Sequence, residues 1–124
     1  MTLQMKLPHS DYRILILEDE FLVLMMIEGM LADNGFKHVE TATTAAKALA
    51  LLGAQQFDAA MIDLNLRGEN SYDVADELVA RRIPFFFCTG NIASDMREEY
   101  RSYPALRKPF DESALAKIFS QILH

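Results

Sequence analysis

The chain has a single cysteine, Cys88, so it closes no internal disulfide and is not a disulfide-built extracellular scaffold. Basic residues are scarce too: twelve Lys and Arg stand against eighteen Asp and Glu, a net charge of −6. That deficit speaks against a sequence-independent nucleic-acid binder, which needs a positive surface to neutralise phosphates. The pairs Arg81-Arg82 and Arg107-Lys108 are too short to make up for it. No apolar run exceeds the seven residues from Phe21 to Ile27, far fewer than a bilayer span requires. Residues 1–11 scatter Leu and Met around Lys6 and Pro8, without the apolar stretch of a signal peptide. His9, His38 and His124 lack metal-ligand spacing. What remains is one acidic domain, expected to be cytoplasmic. Its 124 residues are 51% apolar, enough to bury about two-thirds of the unfolded surface.

Short apolar runs alternate with helical patterns. Arg13-Ile14-Leu15-Ile16-Leu17 reads as a strand buried on both faces, stopped by Glu18-Asp19-Glu20. Residues 20–34 carry a helical period that places Val23, Met26, Ile27, Met30 and Leu31 inward, and Asn34-Gly35 ends it. Residues 38–41 form a candidate strand and residues 43–55 a second helix. Ala59-Ala60-Met61-Ile62-Asp63-Leu64 repeats the opening pattern, followed by a polar loop and a helix over residues 71–82. Pro84-Phe85-Phe86-Phe87-Cys88 is another strand, ending on Thr89-Gly90, and residues 94–101 suit a short polar helix. Ala105-Leu106-Arg107 runs into Lys108-Pro109. Asp111 then caps a last helix whose inner face is Leu115, Ile118, Phe119 and Ile122. This alternation means a doubly wound five-stranded parallel α/β sheet with helices on both faces.

Ligands of such sheets sit beyond the carboxyl ends of the strands. The residues there are Glu18, Asp19, Asp63, Thr89 and Lys108. Carboxylates crowded together repel and raise each other's pKa, which a hard divalent cation such as Mg²⁺ relieves. Lys108 and Thr89 have no task in metal binding alone. They acquire one if a phosphoryl group is attached to a carboxylate, the ammonium pairing one oxygen and the hydroxyl another. Taken singly, each residue has a plainer reading: a helix-capping Asp, a Thr-Gly turn, a solvated lysine. The joint order of all of them favours the shared pocket. Cys88 is expected to be a small core residue.

An acidic pair after the first strand, Asp63 after the third, Thr89-Gly90 after the fourth and Lys108-Pro109-Phe110 after the fifth resemble the receiver domain of two-component response regulators. The resemblance spans residues 11–124, leaving residues 1–10 as an N-terminal arm and no output domain. It implies a flavodoxin-like, CheY-like fold with Asp63 as phosphoacceptor. It implies Glu18, Asp19, Asp63 and the Asn65 backbone carbonyl as ligands of Mg²⁺, with Mn²⁺ as the alternative. Thr89 becomes the switch hydroxyl, Lys108 the sensor of the phosphoryl group, and the bond before Pro109 is cis. Asn65 and Asn91 would flank the phosphoryl group. The donor would be a sensor histidine kinase or phosphotransfer protein, and the chain would catalyse only its own phosphorylation and dephosphorylation.

Three departures stand out. Ala105 occupies the fifth-strand position where receivers usually carry Tyr or Phe; Tyr103, two residues earlier, is a candidate substitute, but reads first as a surface residue. The loop Leu64-Asn65-Leu66-Arg67-Gly68-Glu69-Asn70-Ser71 lacks the common Met-Pro-Gly and a second glycine. The stretch between Thr89 and Lys108 leaves a fourth helix of about two turns. Phe87-Cys88-Thr89-Gly90-Asn91, with residues 104–110, is similar to the atypical FATGUY-type receivers, many of them stand-alone. In the first helix, Phe21, Leu22, Leu24 and Met25 are left over as a docking surface. Homodimerisation, or cover by Leu3, Met5 and Leu7 of the arm, is the competing use, so the chain is expected to be a monomer or a weak homodimer. A haloacid-dehalogenase-like phosphatase would want an Asp at Asn65 and a cap insertion. A flavodoxin-like cofactor binder would find its phosphate repelled by Glu18-Asp19-Glu20. An inactive pseudo-receiver scaffold would be expected to lack Asp63 or Lys108.

Overall fold

The computed structural model describes residues 11–66, 71–90 and 96–123. Strand β1 (Arg13–Leu17) lies between β2 (His38–Ala42) and β3 (Ala59–Asp63) in a parallel sheet whose middle strand is β3. Beyond β3 come β4 (Phe85–Thr89) and β5 (Ala105–Arg107), giving the order β2-β1-β3-β4-β5. This is the doubly wound, CheY-like α/β arrangement expected from the alternating pattern.

The continuous apolar strands are buried on both sides because each residue parity faces its own core. Leu15, Leu17, Ala60, Ile62, Phe85 and Phe87 point to one side, under α2 (Ala45–Ala54) and α3 (Tyr72–Ala80). Ile14, Ile16, Ala59, Met61, Phe86 and Cys88 point to the other, under α1 (Phe21–Asp33) and α4 (Glu112–Ile122). Helix starts follow their capping residues: Thr44 Oγ1 accepts from Lys47 N at 3.1 Å and Asp111 Oδ1 from Ala114 N at 2.8 Å. Helix α1 ends on Gly35 at φ 92°, with Phe36 N–H donating to Leu31 O at 3.0 Å. Helix α3 closes the same way without a glycine, since Arg82 takes φ 60° and Ile83 N–H donates to Leu78 O at 2.9 Å.

Three expectations change. Helix α1 is rotated relative to the sequence reading: Leu24, Ile27 and Leu31 are its buried residues, while Met26 is 45% exposed. Leu24 therefore leaves the docking set and joins the core. A helix apolar on nearly every side has no phase of its own, so the sheet beneath decides which residues turn inward. Between β4 and β5, the described residues hold one 3-10 turn, Glu98–Tyr100, in place of the two-turn helix. Arg97 just before it is extended (φ −52°, ψ 140°), its N–H captured by the Tyr72 hydroxyl at 2.8 Å. Tyr103 is half-buried, packed on Phe85 with ring centroids 5.0 Å apart, and so is not the free surface ring expected. The arm 1–10, the loop 67–70, Asn91 and His124 lie outside the described residues.

Candidate functional site

Pairing continues past the strand ends and fixes the residues just beyond them. Glu18 N–H donates to Ala42 O at 3.0 Å, Leu64 N–H to Cys88 O at 2.9 Å, and Lys108 N–H to Thr89 O at 2.8 Å. Four neighbouring strands thereby bring Glu18, Asp63, Thr89 and Lys108 to one end of the sheet. The Lys108–Pro109 peptide bond is cis, as expected from the sequence.

The Lys108 ammonium lies 3.0 Å from Glu18 Oε1, 3.4 Å from Asp63 Oδ2 and 3.9 Å from Glu20 Oε1. Ligand atoms of Glu18, Asp19 and Asp63 all fall within 4.8 Å of one another. Asp63 Oδ1 accepts from Asn65 N at 3.0 Å, and Asn65 Nδ2 donates to Thr89 Oγ1 at 3.3 Å. Glu18 is fully buried; its Oε2 accepts from Glu20 N at 3.1 Å. Its Oε1 has no aligned donor among the described residues, and the nearby ammonium compensates it as a point charge.

Burial pushes the Glu18 carboxyl above its usual range; the Lys108 contact opposes this and the Asp63 charge adds to it. Burial works to lower the Lys108 pKa, but the Glu18 contact and the Asp63 charge outweigh it and hold the ammonium above its ordinary value. Cys88, fully buried, has its thiol pushed up to about 12 by burial, with Lys108 opposing and the Asp63 and Glu18 charges adding to the rise. It is a core residue, as the sequence implied.

An all-oxygen, carboxylate-rich donor set with one buried, underserved carboxylate oxygen suits a hard divalent cation. One ammonium and one hydroxyl beside it suit an anion carrying several oxygens. The structure thus gathers Glu18, Asp19, Asp63, Asn65, Thr89 and Lys108. Asn91 lies outside the described residues, and Phe21, Leu22 and Met25 sit on α1, exposed.

Two features escaped the sequence reading. Glu20 reaches toward Lys108, where the sequence suggested only a strand stop. Tyr72, Asp76, Arg97 and Tyr100 form one cluster beside Phe87, for which the sequence holds no signal because the residues come from separate segments.

The family of the response regulator receiver domain matches residues 14–120. The transcriptional regulatory protein PdtaR of Mycobacterium tuberculosis is 31% identical over 107 residues, 83% of this chain and 52% of PdtaR. The chain thus spans about half the length of that curated relative. The solution structure of SdrG from Sphingomonas melonis Fr1 is similar at 42% identity and TM-score 0.79, covering 90% of this chain and 95% of SdrG. SdrG has also been solved in a BeF3-activated conformation. The receiver domain of sensor histidine kinase PA1611 from Pseudomonas aeruginosa PAO1 holds a magnesium ion in its active-site cleft. It is 27% identical at TM-score 0.78, over 90% of this chain and 96% of that one.

Proposed function

Because the chain belongs to the family of response regulator receiver domains, we propose that it accepts a phosphoryl group on Asp63 from a histidine kinase or phosphotransfer protein in the cytoplasm. The observation that carries this is the Lys108 ammonium, 3.4 Å from Asp63 Oδ2 and beside three carboxylates able to hold a cation. In the transfer, an Asp63 oxygen forms the new P–O bond as the P–N bond to the donor imidazole breaks, the electron pair passing to that nitrogen. Lys108 pairs one phosphoryl oxygen, and the Thr89 hydroxyl donates a hydrogen bond to another. Asn65 flanks the group and orients the water that later removes it, a role the resemblance also implies for Asn91, outside the described residues. Glu18, Asp19, Asp63 and the Asn65 carbonyl would hold Mg²⁺, which when bound neutralises charge on the phosphoryl oxygens. No separate substrate is turned over.

The output is a changed affinity for a protein partner, limited to the differential affinity of the phosphoryl group for the two states. We place the chain among FATGUY-type receivers on Phe87-Cys88-Thr89-Gly90-Asn91 and on Ala105, which is exposed on the edge strand. Ala105→Tyr accordingly leaves phosphoryl uptake intact. Docking of the donor's helical bundle falls to Phe21, Leu22 and Met25, which are 67%, 78% and 51% exposed. A hollow of about 290 Å³ between Val23, Met26, Pro109 and Phe110 continues that surface to the rim of the pocket. Leu22→Glu with Met25→Glu should slow transfer from a kinase and spare transfer from acetyl phosphate.

The deciding test is intact-mass measurement after acetyl phosphate and Mg²⁺. The wild type gains a phosphoryl adduct and Asp63→Asn does not. An adduct of equal yield on Asp63→Asn overturns the assignment.

A further inference from the structure

Glu20 stands at the mouth of the pocket, and its side chain does not do what its position calls for. It is the N-cap of α1, with extended backbone (φ −91°, ψ 113°), yet among the described residues its carboxylate caps no N–H. Its own N–H donates to Oε2 of the fully buried Glu18 at 3.1 Å, which anchors its backbone to the pocket. The side chain is 51% exposed and turns toward Lys108, with Oε1 3.9 Å from the ammonium.

An ammonium has three hydrogens to donate and accepts none. Lys108 already faces three carboxylates: Glu18 at 3.0 Å, Asp63 at 3.4 Å and Glu20 at 3.9 Å. A phosphoryl oxygen on Asp63 therefore reaches Lys108 at the expense of one of these contacts. Asp63 is the acceptor itself and stays in place. Glu18 is fully buried and has no water to turn to. Glu20 lies farthest from the ammonium and half in solvent, so water replaces Lys108 there at little cost. Among the described residues, the ligand atoms of Glu18, Asp19 and Asp63 converge within 4.8 Å of one another, and Glu20 is not of that group. Its charge stays directed at Lys108 whether or not a cation is held.

We propose that Glu20 competes with the phosphoryl group for the Lys108 ammonium and so sets how tightly the pocket holds an anion relative to a cation. The proposal rests on Asp63 as the acceptor. Glu20 is a positioning residue: it acts through Lys108 and touches neither the phosphoryl group nor the cation. In the free pocket its carboxylate shares the ammonium; on phosphorylation it turns to solvent and yields Lys108. A negative charge at the mouth also repels an entering anion and favours a cation. Removing it should therefore help the anion and not the cation.

The probes are Mg²⁺ alone and BeF3 in excess Mg²⁺, the three fluorines taking the place of phosphoryl oxygens. Each is titrated into wild type, Glu20→Gln, Glu28→Gln and Asp63→Asn and read by amide chemical shifts. Glu20→Gln removes the charge, keeps the side-chain length and sacrifices no cap. Glu28 is exposed about two turns further along α1, so Glu28→Gln makes the same change in net charge away from the pocket. Freeing a half-exposed ion pair is worth up to about fivefold. Glu20→Gln should accordingly bind BeF3 about threefold more tightly than wild type, and Mg²⁺ alone no more tightly. Glu28→Gln should match wild type with both probes. A merely structural Glu20 would instead shift the melting temperature and leave the BeF3 affinity where it was. Unchanged or weaker BeF3 binding by Glu20→Gln, an equal gain in Glu28→Gln, or a parallel gain for Mg²⁺ overturns the role of Glu20 alone. No response of wild type to BeF3, or an equal response from Asp63→Asn, overturns the phosphoacceptor reading and this proposal with it.

Discussion

Lys108→Met removes the ammonium that faces Glu18 and Asp63 while keeping an unbranched stem in its place. At an effective dielectric constant of about 20, the attraction to Glu18 at 3.0 Å is about 5.5 kcal/mol. That to Asp63 at 3.4 Å is about 5 kcal/mol. Desolvation of the ammonium offsets part of this gain. Breaking a buried ion pair from one side costs about 3–5 kcal/mol, and a Lys108 side chain still 20% exposed puts the cost near the lower end, about 3 kcal/mol. With a urea slope of about 2 kcal/mol/M, the unfolding midpoint should fall by about 1.5 M at pH 7 without divalent cation.

The pH dependence follows from Glu18. Its carboxyl titrates above its ordinary value in the folded chain, and losing Lys108 raises it further. A carboxyl raised in this way contributes stability in full below its unfolded pKa and loses it as pH rises through the folded value. The deficit of Lys108→Met is therefore greatest at neutral pH and shrinks on acidification, as Glu18 takes up its proton. Mg²⁺ should narrow it as well, by neutralising the same carboxylates. A midpoint within about 0.3 M of wild type at pH 7 would refute this reasoning.

Arg82→Gly relieves the left-handed backbone at φ 60° and should stabilise the chain by about 0.5–1 kcal/mol in urea unfolding. Cys88 should resist a thiol reagent at pH 8 in the folded chain, its thiol being pushed up to about 12, and react quickly in denaturant; rapid labelling of folded protein would contradict its burial. Leu24→Ala should cost about 2–4 kcal/mol while Leu22→Ala stays within about 0.5 kcal/mol, and equal losses would mean that α1 presents another face to the sheet.

Strands and pocket were legible because both rest on short-range pattern. A parallel strand covered on two faces must be apolar throughout, as Ile14 to Leu17 and Ala59 to Ile62 are, so the polar residue after it marks the strand's end. Once topology puts those ends together, Glu18, Asp63, Thr89 and Lys108 meet without further information. Leu24 was misplaced because α1 is apolar all round and its phase comes from the sheet. Arg82 was invisible for the opposite reason: a helix stop is read from glycine, and here arginine takes the left-handed position. The 3-10 turn depends on Arg97 being held by Tyr72 and Asp76, partners far away in sequence.

The pocket draws its charges from three strand ends, those of β1, β3 and β5, and Asp63 and Lys108 are 45 residues apart. No local fragment contains it. A chain in which β5 has not yet joined the sheet has an acidic patch without Lys108, and one without β3 lacks Asp63. Such distant pairings are the last and slowest to form. Under the proposed function, competence to carry a phosphoryl group arrives only with completion of the sheet, and a half-folded chain, still exposing its apolar strands, would be silent to its donor.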